Sequence, residues 1–158
     1  PNVRTTIDLL VKAGAELNPK PSGHGKQEES PLHWAASSDD IDALDALLDA
    51  GADIDATGAV IGGGTALNDA TASGQWSAAR HLVERGAQIS AWDAAALGLT
   101  DRLRSGPAED LNELLWAACH GGHRETAEYL LEAGTGSNVV GDDRLTARGA
   151  GARARRAW

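Results

Sequence analysis

Few residues in this chain have the types and spacing to do chemistry. A thiol and two imidazoles lie close together in Cys119-His120-x-x-His123. A metal needs three or four ligands in a defined arrangement, and a nucleophilic cysteine needs a base and a group to orient that base. One cysteine in the whole chain excludes a disulfide framework and a four-cysteine zinc site. Gly62-Gly63-Gly64-Thr65 has the glycines of a phosphate loop but lacks its lysine before the hydroxyl residue. It reads as a loop tip. Asp39, Asp40, Asp42, Asp45, Asp49, Asp53 and Asp55 form a dense acidic run with no lysine or arginine among them. Carboxylate pairs do acid–base work in glycosidases. On a helix, however, Asp42, Asp45 and Asp49 share a face turned away from Ile41, Leu44 and Leu48. That run reads as a solvated outer face, or as an acidic patch for a basic partner. No catalytic constellation emerges, so no enzyme activity, cofactor or metal is expected. A hydrolase or transferase using Cys119 or the histidines is the remaining enzymatic alternative.

The elements around these residues are helical. The chain has 158 residues, enough for one compact domain. It has no Phe, no Met, five Trp and one Tyr, but 19 Gly. Strands favour β-branched and aromatic side chains, so this composition argues against a β-sandwich or barrel and for closely packed helices. No apolar run approaches the roughly 20 residues of a membrane span. With no Met and Pro1 first, the chain is read as a fragment or processed piece. The net charge is −9, and the last fifteen residues carry five arginines and no acid. Removing that +5 from −9 leaves −14 for the rest, which repels nucleic-acid phosphates. The abundance of Ala, Gly and Arg suggests a GC-rich, bacterial genome.

Repetition organises the chain. Shifting Ser30–Ala56 by 35 positions brings Leu47, Leu48 and Gly51 onto Leu82, Val83 and Gly86. Shifting by 83 brings Leu47, Leu48 and Gly51 onto Leu130, Leu131 and Gly134. Shifting back by 37 brings them onto Leu10, Val11 and Gly14. Within one copy, Pro31 opens a short helix where its missing N–H matters least. Asp39 or Asp40 can cap the next helix. Ile41, Leu44, Leu47 and Leu48 make one apolar stripe at helical spacing. Gly51 follows where a left-handed C-cap is wanted. Neither helix can bury its face alone, so stacked neighbours must supply the core.

Ser30-Pro31-Leu32-His33-x-Ala35-Ala36, followed by Leu47-Leu48-x-x-Gly51-Ala52-Asp53, resembles the ankyrin repeat. The resemblance implies an all-α solenoid of helix-turn-helix units with long irregular loops. It places a partial repeat at 3–18, repeats at 30–56 and 65–91, a degenerate one at 92–104 and another at 108–138. Residues 144–158 form a basic tail expected to be disordered, or a truncated end. By the same resemblance, His33 is structural, bonding backbone or a neighbouring repeat, and Cys119 falls on the buried Ala36 position. Trp92 and Trp116 align with His33 as packing residues, and Trp76 covers the outer face.

The family likeness implies binding to another protein, with the identity open. The partner-binding residues expected are Gln27, Glu28, Glu29, Trp34, Ser37, Ser38, Thr57, Val60, Ile61, Asp69, Ser73, Asp93 and His120. They combine exposed first-helix positions with the inserted loops at 19–29 and 57–64. Trp34 occupies the variable slot of the signature, as a partner anchor or as packing beneath the preceding loop. The alternative partner is a basic, nucleic-acid-binding protein for which the acidic body acts as a decoy. The chain is expected to be a cytoplasmic monomer with no nucleic-acid or membrane partner.

Overall fold

The computed structural model describes residues 2–18, 29–58, 63–105 and 110–134. The basic tail, residues 19–28 and 59–62, and the end of the break at Gly106-Pro107 lie outside that set. The chain divides into two compact units, Pro1–Gln88 and Ile89–Trp158. Helices account for all regular structure among the described residues, with one isolated antiparallel bridge between Thr57 and Thr65. This is the all-α repeat fold expected from the sequence.

In the first unit, α1 (Val3–Lys12), α3 (Ile41–Asp49) and α5 (Trp76–Glu84) form one layer. Helices α2 (Pro31–Ser37) and α4 (Ala66–Ser73) pack side by side in the other. Between the layers Leu32, Leu44, Leu47, Leu67 and Leu82 are buried, with alanines filling the tighter contacts. Burial of each leucine contributes roughly 1.5–3 kcal/mol. The start of each first helix is fixed by a reciprocal bond between the N-cap residue and the residue three positions on. Ser30 N–H donates to His33 Nδ1 at 3.1 Å. Thr65 N–H donates to Asn68 Oδ1 at 2.9 Å. His33 Nε2 also meets the Gly64 carbonyl of the next repeat at 3.2 Å. Because Nδ1 accepts from Ser30 N–H, Nε2 carries the proton and donates to Gly64. The structural role expected of His33 is thereby specified.

Both candidate caps before α3 are used. Asp40 accepts from Ala43 N–H at 3.0 Å and caps α3. Asp39 turns the chain at φ 55°, and its carboxylate accepts Ala78 N–H at 2.7 Å near the start of α5. Gly51 has φ 98°, the left-handed conformation anticipated after the apolar stripe.

The outer acidic run is more engaged than the sequence suggested. Asp45 pairs with His81 at 2.9 Å and with Arg85, while Asp49 pairs with Arg4 at 2.8 Å and Arg85 at 2.9 Å. The hydrogen bond from His81 is the main cause holding the Asp45 carboxyl below the ordinary carboxylate range. The Arg4 bond, then the Arg85 bond, does the same for Asp49. Asp55 accepts Gln88 N–H at 2.8 Å. The cations missing from the run itself come from neighbouring repeats. Asp45 and Asp49 are thereby cross-repeat ties, while Asp42 and Asp49 are exposed as expected of an outer face.

The second unit contains α6 (Ala91–Ala96), α7 (Thr100–Ser105), α8 (Leu111–Gly121) and α9 (Arg124–Glu132). Helices α6 and α8 pack together, with α7 against α6 and α9 against α8. A buried hydroxyl pair, Thr100 and Thr126 at 2.7 Å, joins the α7 and α9 side. Ser90 caps α6, and Asp93 is its box partner: Ser90 N–H and Oγ donate to Asp93 Oδ2 at 3.1 and 2.7 Å. Asp93, not Trp92, therefore holds the place of His33, and Trp92 takes that of Leu32. The shift by one residue corrects the alignment read from the sequence. Trp92 still packs, stacking on Trp116 with ring centroids 5.3 Å apart.

Candidate functional site

The candidate surface in the first unit is built on α2 and α4. Ser30 is the N-cap of α2, so Glu29 precedes the cap and Trp34 is the fourth helical residue. Those two positions are neighbours at a helix start, the pair that a hydrophobic staple joins. Leu32, His33, Ala35 and Ala36 turn into the packing, whereas Trp34 is 65% exposed. The preceding loop, beneath which Trp34 was alternatively expected to pack, lies almost wholly outside the described residues.

Asp69 stands 35 residues after Trp34, at the equivalent position on α4, the helix packed against α2. Packed helices lie about 8–10 Å apart. Asp69 is only 4% exposed, and its Oδ2 has no hydrogen-bond partner among the described residues. Burial, reinforced by the nearby Glu29 charge, raises the Asp69 carboxyl to about 6. A buried carboxylate oxygen without a donor is an unfavourable arrangement that folded proteins rarely retain.

The other expected contact residues fall into three groups. Ser38, Thr57 and Ser73 are exposed, and Ser37 and Glu29 are partly buried. The Ser37 hydroxyl donates to Trp34 O at 3.2 Å and its carbonyl accepts from Gln75 at 3.1 Å, so Ser37 is already engaged. Gln27, Glu28, Val60 and Ile61 lie outside the described residues. Two expectations are corrected: Asp69 and Asp93, at 4% and 0% exposure, are not open surface contacts. Asp93 is consumed by its capping bonds. His120, in the second unit, is partly buried and stacks on Trp116 at 4.9 Å.

The thiol–imidazole group does not assemble a reaction centre. Cys119 is partly exposed, less buried than its alignment with Ala36 implied. Burial nevertheless pushes its thiol upward, away from thiolate. His123 stands at the N-cap position of α9 without a side-chain capping bond, its ring against Gly98. No group of three or more His, Cys, Asp or Glu able to hold a metal occurs among the described residues. The hollow beside α7, about 430 Å³, is lined by Gly98, Leu99, Thr100, Asp101, Arg102 and Glu125, without thiol or imidazole. Native Cys119 is expected to react with iodoacetamide at least ~10-fold more slowly than in 8 M urea, because the thiolate is the reacting species. Equal rates at pH 8 would contradict that assignment.

Sequence reasoning anticipated the exposure of Trp34 and misjudged that of Asp69, because it equated charge with exposure. The 35-residue spacing that pairs the two positions was the available signal. No helix among the described residues is long and apolar enough to cross a membrane.

A family model for ankyrin repeats matches residues 2–93 in three copies, more than half of the chain. No curated protein matches the chain.

Proposed function

Because the chain belongs to the ankyrin repeat family, whose members are generally protein–protein interaction modules, we propose that it binds another protein through the α2–α4 face and adjoining loop tips of its first unit, without a catalytic step. The observation that carries this reading is the 65% exposure of Trp34 on a helix whose other large side chains are buried. Tryptophan is enriched among residues that dominate binding energy, and an exposed indole on a repeat face is more useful to a partner than to the isolated fold. Glu29, Ser38, Thr57 and Ser73 surround or extend that contact in the proposal. The inserted-loop residues Gln27, Glu28, Val60 and Ile61 belong to the same proposed surface. The ordinary location proposed is the cytoplasm, with the chain acting as a monomer.

The acidic-decoy reading gains no support from Asp45 and Asp49, whose charges are paired with Arg4, His81 and Arg85. Trp34→Ala is expected to weaken partner binding at least ~30-fold, about 2 kcal/mol, while leaving the thermal midpoint nearly unchanged. Affinity capture with the full chain, followed by titration of the captured partner on both forms, measures this. A large loss of thermal stability with unchanged affinity would return Trp34 to the core and end the proposal.

A further inference from the structure

Helix α1 leaves two adjacent leucines open, Leu9 at 60% and Leu10 at 54% exposure. By the repeat register Leu10 stands where Leu47, Leu82 and Leu130 stand in α3, α5 and α9. Those three are buried. The difference lies in what packs on each helix. Helix α2 packs on α3, α4 on α5 and α8 on α9. Helix α1 packs on α3 but has no first helix of its own among the described residues. The three covering helices share one pattern, a leucine followed three and four positions later by small residues. It reads Leu32 with Ala35 and Ala36, Leu67 with Ala70 and Thr71, and Leu115 with Ala118 and Cys119. All of these are buried except the partly exposed Cys119.

The backbone entering α1 bears on where such a cover comes from. At the tight turns between paired helices the N-caps Asp40, Gln75 and His123 have ψ 87°, 74° and 90°. Each follows a left-handed residue, Asp39, Gly74 or Gly122. Asn2 has ψ 169°, which matches Ser30, Thr65 and Ser90, the caps of helices entered from a loop. Its side chain accepts Thr5 N–H at 2.9 Å. A first helix joined through the tight turn does not fit that entry, so the open face suits a helix from another molecule. We infer that the Leu9–Leu10 face of α1 is a docking slot for a short helix of the protein partner, with a leucine and, three and four positions on, small residues. This rests on the protein-binding reading for the class of partner and adds a surface distinct from the α2–α4 face. The partner's leucine packs against Leu10, and its small residues let the helix approach as closely as α2 approaches α3. A second copy fits less well, because each chain carries a net charge of −9.

The test uses the full chain and a peptide of residues 30–38, the sequence of α2 and its caps. The peptide carries Trp34→Lys and Ser38→Glu joined as a lactam, which holds the helix through two positions exposed in α2. It is titrated while the Leu9 and Leu10 methyl groups are followed by NMR. Saturable shifts are expected with a Kd of about 0.1–1 mM. The same peptide with Leu32→Asp, and the protein variant Leu10→Ser, are each expected to bind at least ~5-fold more weakly. Leu10 is exposed, so Leu10→Ser keeps its thermal midpoint within about 3 °C. Leu131→Ser, at an exposed leucine of α9, leaves the response unchanged. Absence of saturable shifts, equal binding of the Leu32→Asp peptide, or an unaltered Leu10→Ser response overturns the slot. In the free chain the Leu10 methyls are expected to be relaxed strongly by a soluble gadolinium chelate, and sedimentation is expected to show a monomer. Shielded methyls would mean that another segment of the chain fills the slot, and a dimer dissolved by Leu10→Ser would mean that a second copy does; either result overturns the partner helix. None of these failures touches the α2–α4 reading, which Trp34→Ala in the capture experiment tests separately.

Discussion

Replacing Gly121 with alanine is expected to destabilise the second unit by about 2 kcal/mol, although alanine is the better helix former. Gly121 ends α8 where that helix meets α6. A Cβ there would stand 2.0 Å from the carbonyl oxygen of Ala96 and 2.8 Å from the His123 ring. The ring can turn, but the carbonyl belongs to the α6 backbone and moves only with its helix. Helix propensity favours the substitution by about 0.8–1.0 kcal/mol. Overpacking against backbone costs about 1–3 kcal/mol and sometimes more. Here it also disturbs the packing of α6 on α8, two helices whose Ala94, Ala95, Ala96, Leu115 and Ala118 are buried. The steric term wins, and its size is measured by urea unfolding of the full chain. The near-ultraviolet signal of the stacked Trp92–Trp116 pair reports on this unit directly. Gly51→Ala is the comparison: φ is 98° there but nothing lies within 4 Å, so the loss is confined to backbone strain of about 1 kcal/mol. Gly121→Ala as stable as the parent would mean that α6 and α8 do not approach this closely.

That close approach explains which parts of the fold were legible. Leu44, Leu47 and Leu82 announced themselves by spacing, because a helix has one period and a buried stripe must follow it. Gly51 was readable because a helix end imposes the same backbone requirement in every copy. The capping partner was harder. His33, Asn68 and Asp93 differ in letter but each accepts the N-cap amide hydrogen bond. An alignment by residue type therefore slipped by one and put Trp92 where Asp93 stands. The aspartates behaved likewise. Asp45 and Asp49 were seen as a run without cations, yet their partners Arg4, His81 and Arg85 are remote in sequence and one repeat away in space. Stacking turns sequence distance into contact, and a charge pattern read along the chain misses it. For the candidate site, position 34 was legible as exposed because it is the variable slot of a recognised signature. Position 69 occupies the same slot yet is buried, and nothing in its spacing distinguishes it from position 34.

Asp69→Asn is expected to raise stability by about 2 kcal/mol at pH 7.5. The folded carboxyl titrates near 6, against 3.8 for the ordinary group, chiefly through burial and secondarily through Glu29. An acid whose value is raised on folding opposes folding once it ionises. Below about pH 4 both states hold the proton and the group is neutral toward stability. Between about pH 4 and 6 the unfolded chain loses its proton first, so stability declines; above 6 the decline is complete. The full shift corresponds to roughly 3 kcal/mol at 1.36 kcal/mol per unit. Asparagine recovers less than that, because its amide also needs partners. Urea unfolding of parent and variant is therefore expected to converge near pH 3.5 and to separate steadily toward pH 7.5. Parallel curves with no separation would show that the carboxylate is better solvated than its 4% exposure indicates.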